Sequence, residues 1–257
     1  MRRLAIALAL LFAVGGAGPA AAERLVASLS NHRVAVTSNF VGEELVLFGT
    51  IEPDPAGQLR PPYDLVVTVT GPQQTMRTRR KQRMLGIWVN VDSREFVSVP
   101  SYLAVLSNRP VAEIADQETL RKLQIGLNYF LLPQRIGPDV ADTVTDDPFR
   151  RAFVRLQRQQ GLYRESSTAV TFLTPTVFRT AIAMPAAVPT GTYAIEVELF
   201  SQGKLVARTN SALEVIKAGF EQYVADAARD YGLLYGMATA LMALLIGWFA
   251  SVVFRRD

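Results

Sequence analysis

The residues GTYAIEVELF (191–200) alternate between two chemistries. Tyr193, Ile195, Val197 and Leu199 fall on one side, with Glu196 and Glu198 on the other. A period of two describes a strand with one buried face and one wet face. SQGK then supplies a turn at Gly203, and LVARTNSALEVI returns, which predicts a hairpin. Earlier runs have the same character: HRVAVTSNF, EELVLFGTIE, DLVVTVTG, GIWVNV and EFVSVPS, then TAVTFLT and FRTAIAMP ahead of the hairpin. Short strands separated by Gly/Pro turns predict an antiparallel, immunoglobulin-like β-sandwich over residues 23–216. Pro189 and Gly191 precede Tyr193 at the start of a strand. There the phenol can turn back onto the preceding corner, or serve simply as a core aromatic.

The period changes to helical within a predicted insertion at about 110–164. Asp147 can cap free amides, Pro148 suits a first helical turn, and Gly161 can close the end in a left-handed conformation. Phe149, Phe153 and Leu156 form an apolar stripe at helical spacing. A preceding helix is predicted to start near Asp116 and to carry Leu120, Leu123 and Ile125. Together these could cover an open end or face of the sandwich. A juxtamembrane helix is predicted over 217–231, with Phe220, Tyr223, Val224, Ala227 and Tyr231 on one face.

Hydropathy is concentrated at the two ends. From Leu233 to Phe254 no residue is charged. About 20 apolar residues at ~1.5 Å each span a bilayer, so 232–254 is predicted as a transmembrane helix. Tyr231, Tyr235, Trp248 and Phe254 sit where amphipathic rings favour headgroups. Arg255 and Arg256 form a topology stop on the cytoplasmic side, leaving 255–257 as a short tail. At the other end, Arg2 and Arg3 precede an apolar stretch from Leu4 to Val14, then glycines, Pro19 and small residues. This is the order of a signal peptide over 1–22, with Ala20 and Ala22 as cleavage positions. An uncleaved helix fits less well, because the stretch is too short for ~30 Å of hydrocarbon and is broken by glycine and proline. The expected location is the inner membrane, single-pass, with the body periplasmic.

Composition narrows the chemistry. The chain has no cysteine and one histidine, His32. Thiolate metal sites, disulfides and His-pair motifs are therefore excluded. The four acids of GPDVADTVTDDP (Asp139, Asp142, Asp146 and Asp147) lack EF-hand spacing and read as loop and cap residues, with a carboxylate calcium site as the alternative. No G-x-S-x-G elbow, dinucleotide fingerprint or phosphate-binding loop occurs. No cofactor is expected, and a catalytic role has no positive support. Setting aside Arg2, Arg3, Arg255 and Arg256 from 27 basic residues, and Asp257 from 23 acidic ones, leaves the exported part close to neutral. Nucleic acid is therefore not an expected partner.

Two basic clusters remain. MRTRRKQR carries Arg77, Arg79, Arg80, Lys81 and Arg83 without an acid, while Arg151, Arg155 and Arg158 recur at helical spacing opposite the aromatic stripe. Either could meet an anionic ligand, lipid headgroups or an acidic partner, or be no more than a solvated face. In the apolar end, Gly232, Gly236 and Ala240 form a small-residue ridge that permits close helix pairing, although glycine is common in membrane helices.

The last third, from Gly191 and Tyr193 through Lys217, Gly219, Phe220, Tyr235-Gly236 and Gly247-Trp248 to Arg255-Arg256, resembles an alphaproteobacterial transmembrane protein family with a single C-terminal membrane helix. The resemblance implies location and architecture rather than a mechanism. It also implies companionship with membrane exporters of sulfur anions, of the sulfite-exporter type. The expected role is a non-enzymatic accessory or binding subunit of a membrane complex. The alternatives are a sensor or binder of a small anion, such as an oxidised sulfur species, or an enzyme without a recognisable motif.

Overall fold

A computed structural model describes residues 23–53, 62–136, 139–142 and 147–253. Residues 1–22, expected from the sequence to be a signal peptide, and Asp146, Phe254, Arg255 and Arg256 lie outside the described residues. The chain opens with strands β1 (Arg24–Leu29), β2 (Arg33–Val36), β3 (Gly42–Glu52) and β4 (Tyr63–Thr70). A long hairpin, β5 (Gln73–Met84) and β6 (Ile87–Pro100), precedes β7 (Leu103–Ser107). Helices α1 (Val111–Ile114) and α2 (Gln117–Leu123), strands β8 (Pro133–Ile136) and β9 (Asp139–Asp142), and helix α3 (Pro148–Gln159) follow. Then come β10 (Tyr163–Ser166), β11 (Val170–Phe172), β12 (Val177–Pro185), β13 (Gly191–Ser201) and β14 (Lys204–Lys217), ending in helices α4 (Phe220–Asp230) and α5 (Gly232–Val253).

The protein is mostly β with an apolar C-terminal helix, as the hydrophobic pattern predicts. Two sheets share a core: one ordered β1-β3-β12-β11, the other β10-β7-β4-β13-β14-β2. Leu45, Leu47, Phe178 and Ile182 of the first sheet join Leu65, Val67, Ile195 and Val197 of the second in one buried cluster. Pairing is not wholly antiparallel, contrary to the sequence expectation. β10 runs parallel to β7, and β2 parallel to β14. Both are edge strands delivered by long connections, which is what parallel pairing requires. The segment 110–164 is also less purely helical than its period suggests, because it contains β8, β9 and the start of β10.

β4 explains its own composition. YDLVVTVT is buried along nearly its whole length. Leu65, Val67 and Val69 face the sandwich core, while Val66 packs with Val105, Phe200 and the α1–α2 residues Val111, Ile114 and Leu120. A strand covered on both faces reads as a continuous apolar run. Glu198, opposite Val66 in the ladder, is consequently buried, although its alternation predicts a wet position.

A third sheet, β5-β6-β8-β9, grows out of the second. The Gly71 amide donates to the Tyr102 carbonyl (2.8 Å) and the Ser101 amide to the Pro72 carbonyl (2.9 Å). These bonds join the β4–β7 and β5–β6 pairs into one two-stranded ribbon. Gly71 is required at the junction, since a Cβ there would lie 2.9 Å from both Tyr102 Cβ and Tyr193 Cε1.

Tyr193 fulfils both readings of its position. It is fully buried, and its hydroxyl donates to the Pro189 carbonyl at 2.5 Å. α5 is 22 residues long with a mean hydropathy of 1.9, and none of it is buried against the body.

Candidate functional site: a basic groove beside a projecting hairpin

The run QQTMRTRRKQRM has no apolar alternation, and nothing in it announces a strand. It becomes β5 because it pairs along its length with β6, whose β-branched and aromatic residues suit a pleated surface. A two-residue turn, Leu85-Gly86, closes the hairpin with both residues at positive φ (50° and 87°). That is the geometry whose twist matches paired strands. Every residue from Lys81 to Val91 is exposed.

Helix α3 lies beside the lower part of this hairpin, and its ends are set as the sequence predicts. Asp147 Oδ2 accepts from the Arg150 amide at 2.8 Å, Pro148 starts the helix, and Gly161 follows it at φ 73°. Its inner face buries Phe149 and Phe153. Phe153 stacks on Phe96 at 4.3 Å and meets Tyr163 edge-on at 5.7 Å. Leu156 belongs to the predicted apolar stripe but remains 43 % exposed, for it faces the space between helix and hairpin.

That space is a groove of about 360 Å³ lined by Thr78, Arg79, Arg80, Lys81, Phe149 and Leu156, with Pro148, Ala152 and Arg155 completing it. The floor is apolar and the rim cationic. Arg155 also lines an adjoining depression of about 210 Å³ with Arg150, Arg151 and Arg158, beside Leu127 and Val154. The structure thus brings Arg79, Arg80 and Lys81 together with Arg155, and Arg151 and Arg158 continue the basic surface around the helix. Arg77 is diverted from it, since its guanidinium approaches Glu95 at 3.7 Å, a carboxylate that Arg135 also meets at 3.1 Å. Arg83 lies nearer the tip and donates to the Gly86 carbonyl at 3.4 Å.

Among the described residues, Arg79, Arg80, Lys81, Arg155 and Arg158 have no carboxylate in ion-pair contact, and Asp92, opposite Arg80 in the ladder, is not in such contact with it. Unneutralised cations over an apolar floor can hold an anionic group whose attached part is apolar. Arg150 escapes sequence reasoning altogether. It is buried, and its guanidinium donates to the carbonyls of Phe130 (2.6 Å) and Asn128 (3.4 Å), pinning the α2–β8 connection to α3. Its pairing with these carbonyls, like its burial beside the exposed Arg151, is invisible in sequence.

The remaining candidates are dispersed. Asp139 and Asp142 lie in β9 rather than in a loop, and Asp147 caps α3 while accepting from Gln134 Nε2 at 3.0 Å. Among the described residues no group of three His, Asp or Glu is placed to hold a metal ion. Gly232, Gly236 and Ala240 lie along α5, and a Cβ added to either glycine would meet nothing within 4 Å. Away from the groove, burial raises three tyrosines: Tyr102 to about 12, and Tyr163 and Tyr193 further still. Their hydroxyls serve the framework, with Tyr102 donating to the Ala183 carbonyl and Tyr163 to that of Pro100, both at 2.7 Å.

Residues 24–256 match the family described as "Putative transmembrane protein (Alph_Pro_TM)". The chain belongs to that family. Membership and α5 together make it a membrane protein with one candidate transmembrane helix at its C-terminal end. No curated protein matches this family member by sequence. Among solved structures, a sporulation control protein from Bacillus subtilis shows 10 % identity and a TM-score of 0.28. The alignment covers 82 % of this chain and 56 % of that one. A TM-score so low does not inform the fold.

Proposed function

We propose that this transmembrane-family protein is a non-enzymatic binding subunit of a membrane complex, anchored in the inner membrane by α5 with its body in the periplasm. Its recognition site is the groove between β5 and α3. The observation that carries this reading is the convergence of Arg79, Arg80, Lys81 and Arg155 over Phe149 and Leu156. Exposed cations with no carboxylate in ion-pair contact among the described residues select a carboxylate-bearing partner, and the apolar floor selects one with hydrophobic side chains nearby. The occupant is an acidic, partly apolar segment of an integral membrane protein, for which a sulfite-exporter-type transporter is the first candidate.

The test is affinity recovery from detergent-solubilised membranes. Wild-type chain should bring down an integral membrane protein. Replacing Arg79, Arg80, Lys81 and Arg155 by Glu should lower its recovery at least tenfold. Recovery of the wild-type chain alone, or equal recovery by the variant, overturns the reading. The depression at Arg150, Arg151, Arg155 and Arg158 favours a second one, capture of a small anion such as an oxidised sulfur species. Calorimetric titration with sulfite and sulfate decides it: saturable heat lost in Arg155→Glu supports it, and no heat rejects it.

A further inference from the structure

The β5–β6 hairpin ends in a combination that is unfavourable for a water-facing turn. Leu85 occupies a left-handed position (φ 50°) where a short polar residue or glycine is the ordinary choice, and it is completely exposed. Around it Met84 is 52 % exposed, Ile87 65 % and Trp88 69 %, with Val89 and Val91 also exposed. No acid lies between Arg77 and Val91. Behind the apolar tip come Arg83, Lys81, Arg80 and Arg79 on the same strand. An apolar, tryptophan-bearing tip backed by a collar of cations has the composition of a segment that enters the headgroup zone of an anionic bilayer.

The topology places the root of this arm at the right end of the body. β14 leaves for the membrane helix at Lys217, beside Val215, which pairs with Gly191 at the start of β13. Three residues on, Ala194 pairs with Thr70 at the end of β4, and Thr70 with Leu103 at the start of β7. The ribbon continues from there into the arm, so arm and anchor depart from the same end of the sheet. β5 has 12 residues, a length of roughly 35–40 Å at ~3.3 Å each. The intervening α4, with 11 residues, spans only about 16 Å. The arm is long enough to bridge that gap.

We propose that the tip Met84–Trp88 inserts into the interfacial zone of the bilayer that holds α5, with Arg83, the cation nearest the tip and outside the groove, on anionic headgroups. This gives the body a second point of attachment and does not depend on the groove having a protein occupant. An aromatic at the tip anchors at the depth where one end of the ring is apolar and the other wet.

The experiment uses the full chain with Trp248→Phe, which leaves Trp88 as the sole tryptophan. It is reconstituted in vesicles of phosphatidylcholine alone, or with one third phosphatidylglycerol. Headgroup-proximal brominated lipids should quench Trp88 emission at least twofold in the anionic vesicles and less in the neutral ones. Leu85→Asn suits the backbone of the turn, so the fold is retained, as circular dichroism verifies. It should remove most of the quenching while leaving recovery of a membrane partner unchanged, which separates this proposal from the groove. Absence of quenching in both lipid mixtures overturns the proposal. So does Trp88 becoming shielded only when a protein partner is added, an outcome that reassigns the tip to protein docking.

Discussion

Glu198 is the residue most at odds with its surroundings. It is 1 % exposed, neither carboxylate oxygen has a hydrogen-bond partner, and Arg208 Nε stands 3.5 Å from Oε1 without forming one. Burial pushes its pKa up to about 7, Arg208 pulls against this, and Glu196 adds to it. An acid whose folded pKa lies above its unfolded value keeps more protons when folded, so its ionisation opposes folding. Stability should therefore be highest below about pH 4.5 as far as this group is concerned, fall as pH rises towards 7, and level off above. The span is on the order of 3 kcal/mol, and Glu198→Gln should flatten it; urea midpoints measured from pH 5 to 8 report both. Tyr193→Phe tests the corner. Loss of the hydroxyl strands the Pro189 carbonyl, and destabilisation of about 1–2 kcal/mol is expected in the same assay. The two residues differ in how legible they were. Pro189, Gly191 and Tyr193 form a local motif whose partner lies four residues away, whereas alternation says which face Glu198 takes and nothing of what covers that face.

Elements announced themselves when their own side chains carried the signal. The caps of α3 and the hairpin β13–β14 are local facts, and each is where the pattern puts it. β5 is the opposite case, because its strand character is conferred by β6, and a polar, basic run exposed on both faces has no period to read. GIWVNV and EFVSVPS, separate in the sequence reading, are one strand because the intervening Asp92-Ser93-Arg94 continues the ladder. Gly49 shows how tightly such ladders are packed. It lies between β1 and β12, and a Cβ there would come within 2.4 Å of the Val26 carbonyl oxygen and 2.5 Å of the Phe178 ring. Gly49→Ala should consequently lose about 2 kcal/mol or more, read as a lowered thermal midpoint, because backbone rather than a flexible side chain must yield.

For the molecule as a whole, the membrane helix was readable from 22 residues without a charge, while the groove was not. Arg79–Lys81 and Arg155 are far apart in the chain, and the packing of α3 on the hairpin, with Phe153 stacked on Phe96 and Arg94 over Phe149, makes them neighbours. The orientation across the bilayer is open to a clean test, since the chain has no cysteine. A cysteine at Gln82 should react with a membrane-impermeant maleimide in right-side-out spheroplasts, and one at Asp257 only after permeabilisation; the reverse pattern would falsify the proposed topology.

The parallel pairing of β2 with the end of β14 has a mechanical consequence. Glu214 to Lys217 are clamped by Arg33 to Val36, and the Ala218 amide adds a bond to the Val36 carbonyl at 2.9 Å. Tension directed along β14 loads the bonds to β2 on one side and β13 on the other in shear, so that they share the strain at once. A strand peeled sideways would surrender them singly, like teeth of a zip. The tether thus enters the body through a strand that is held on both flanks.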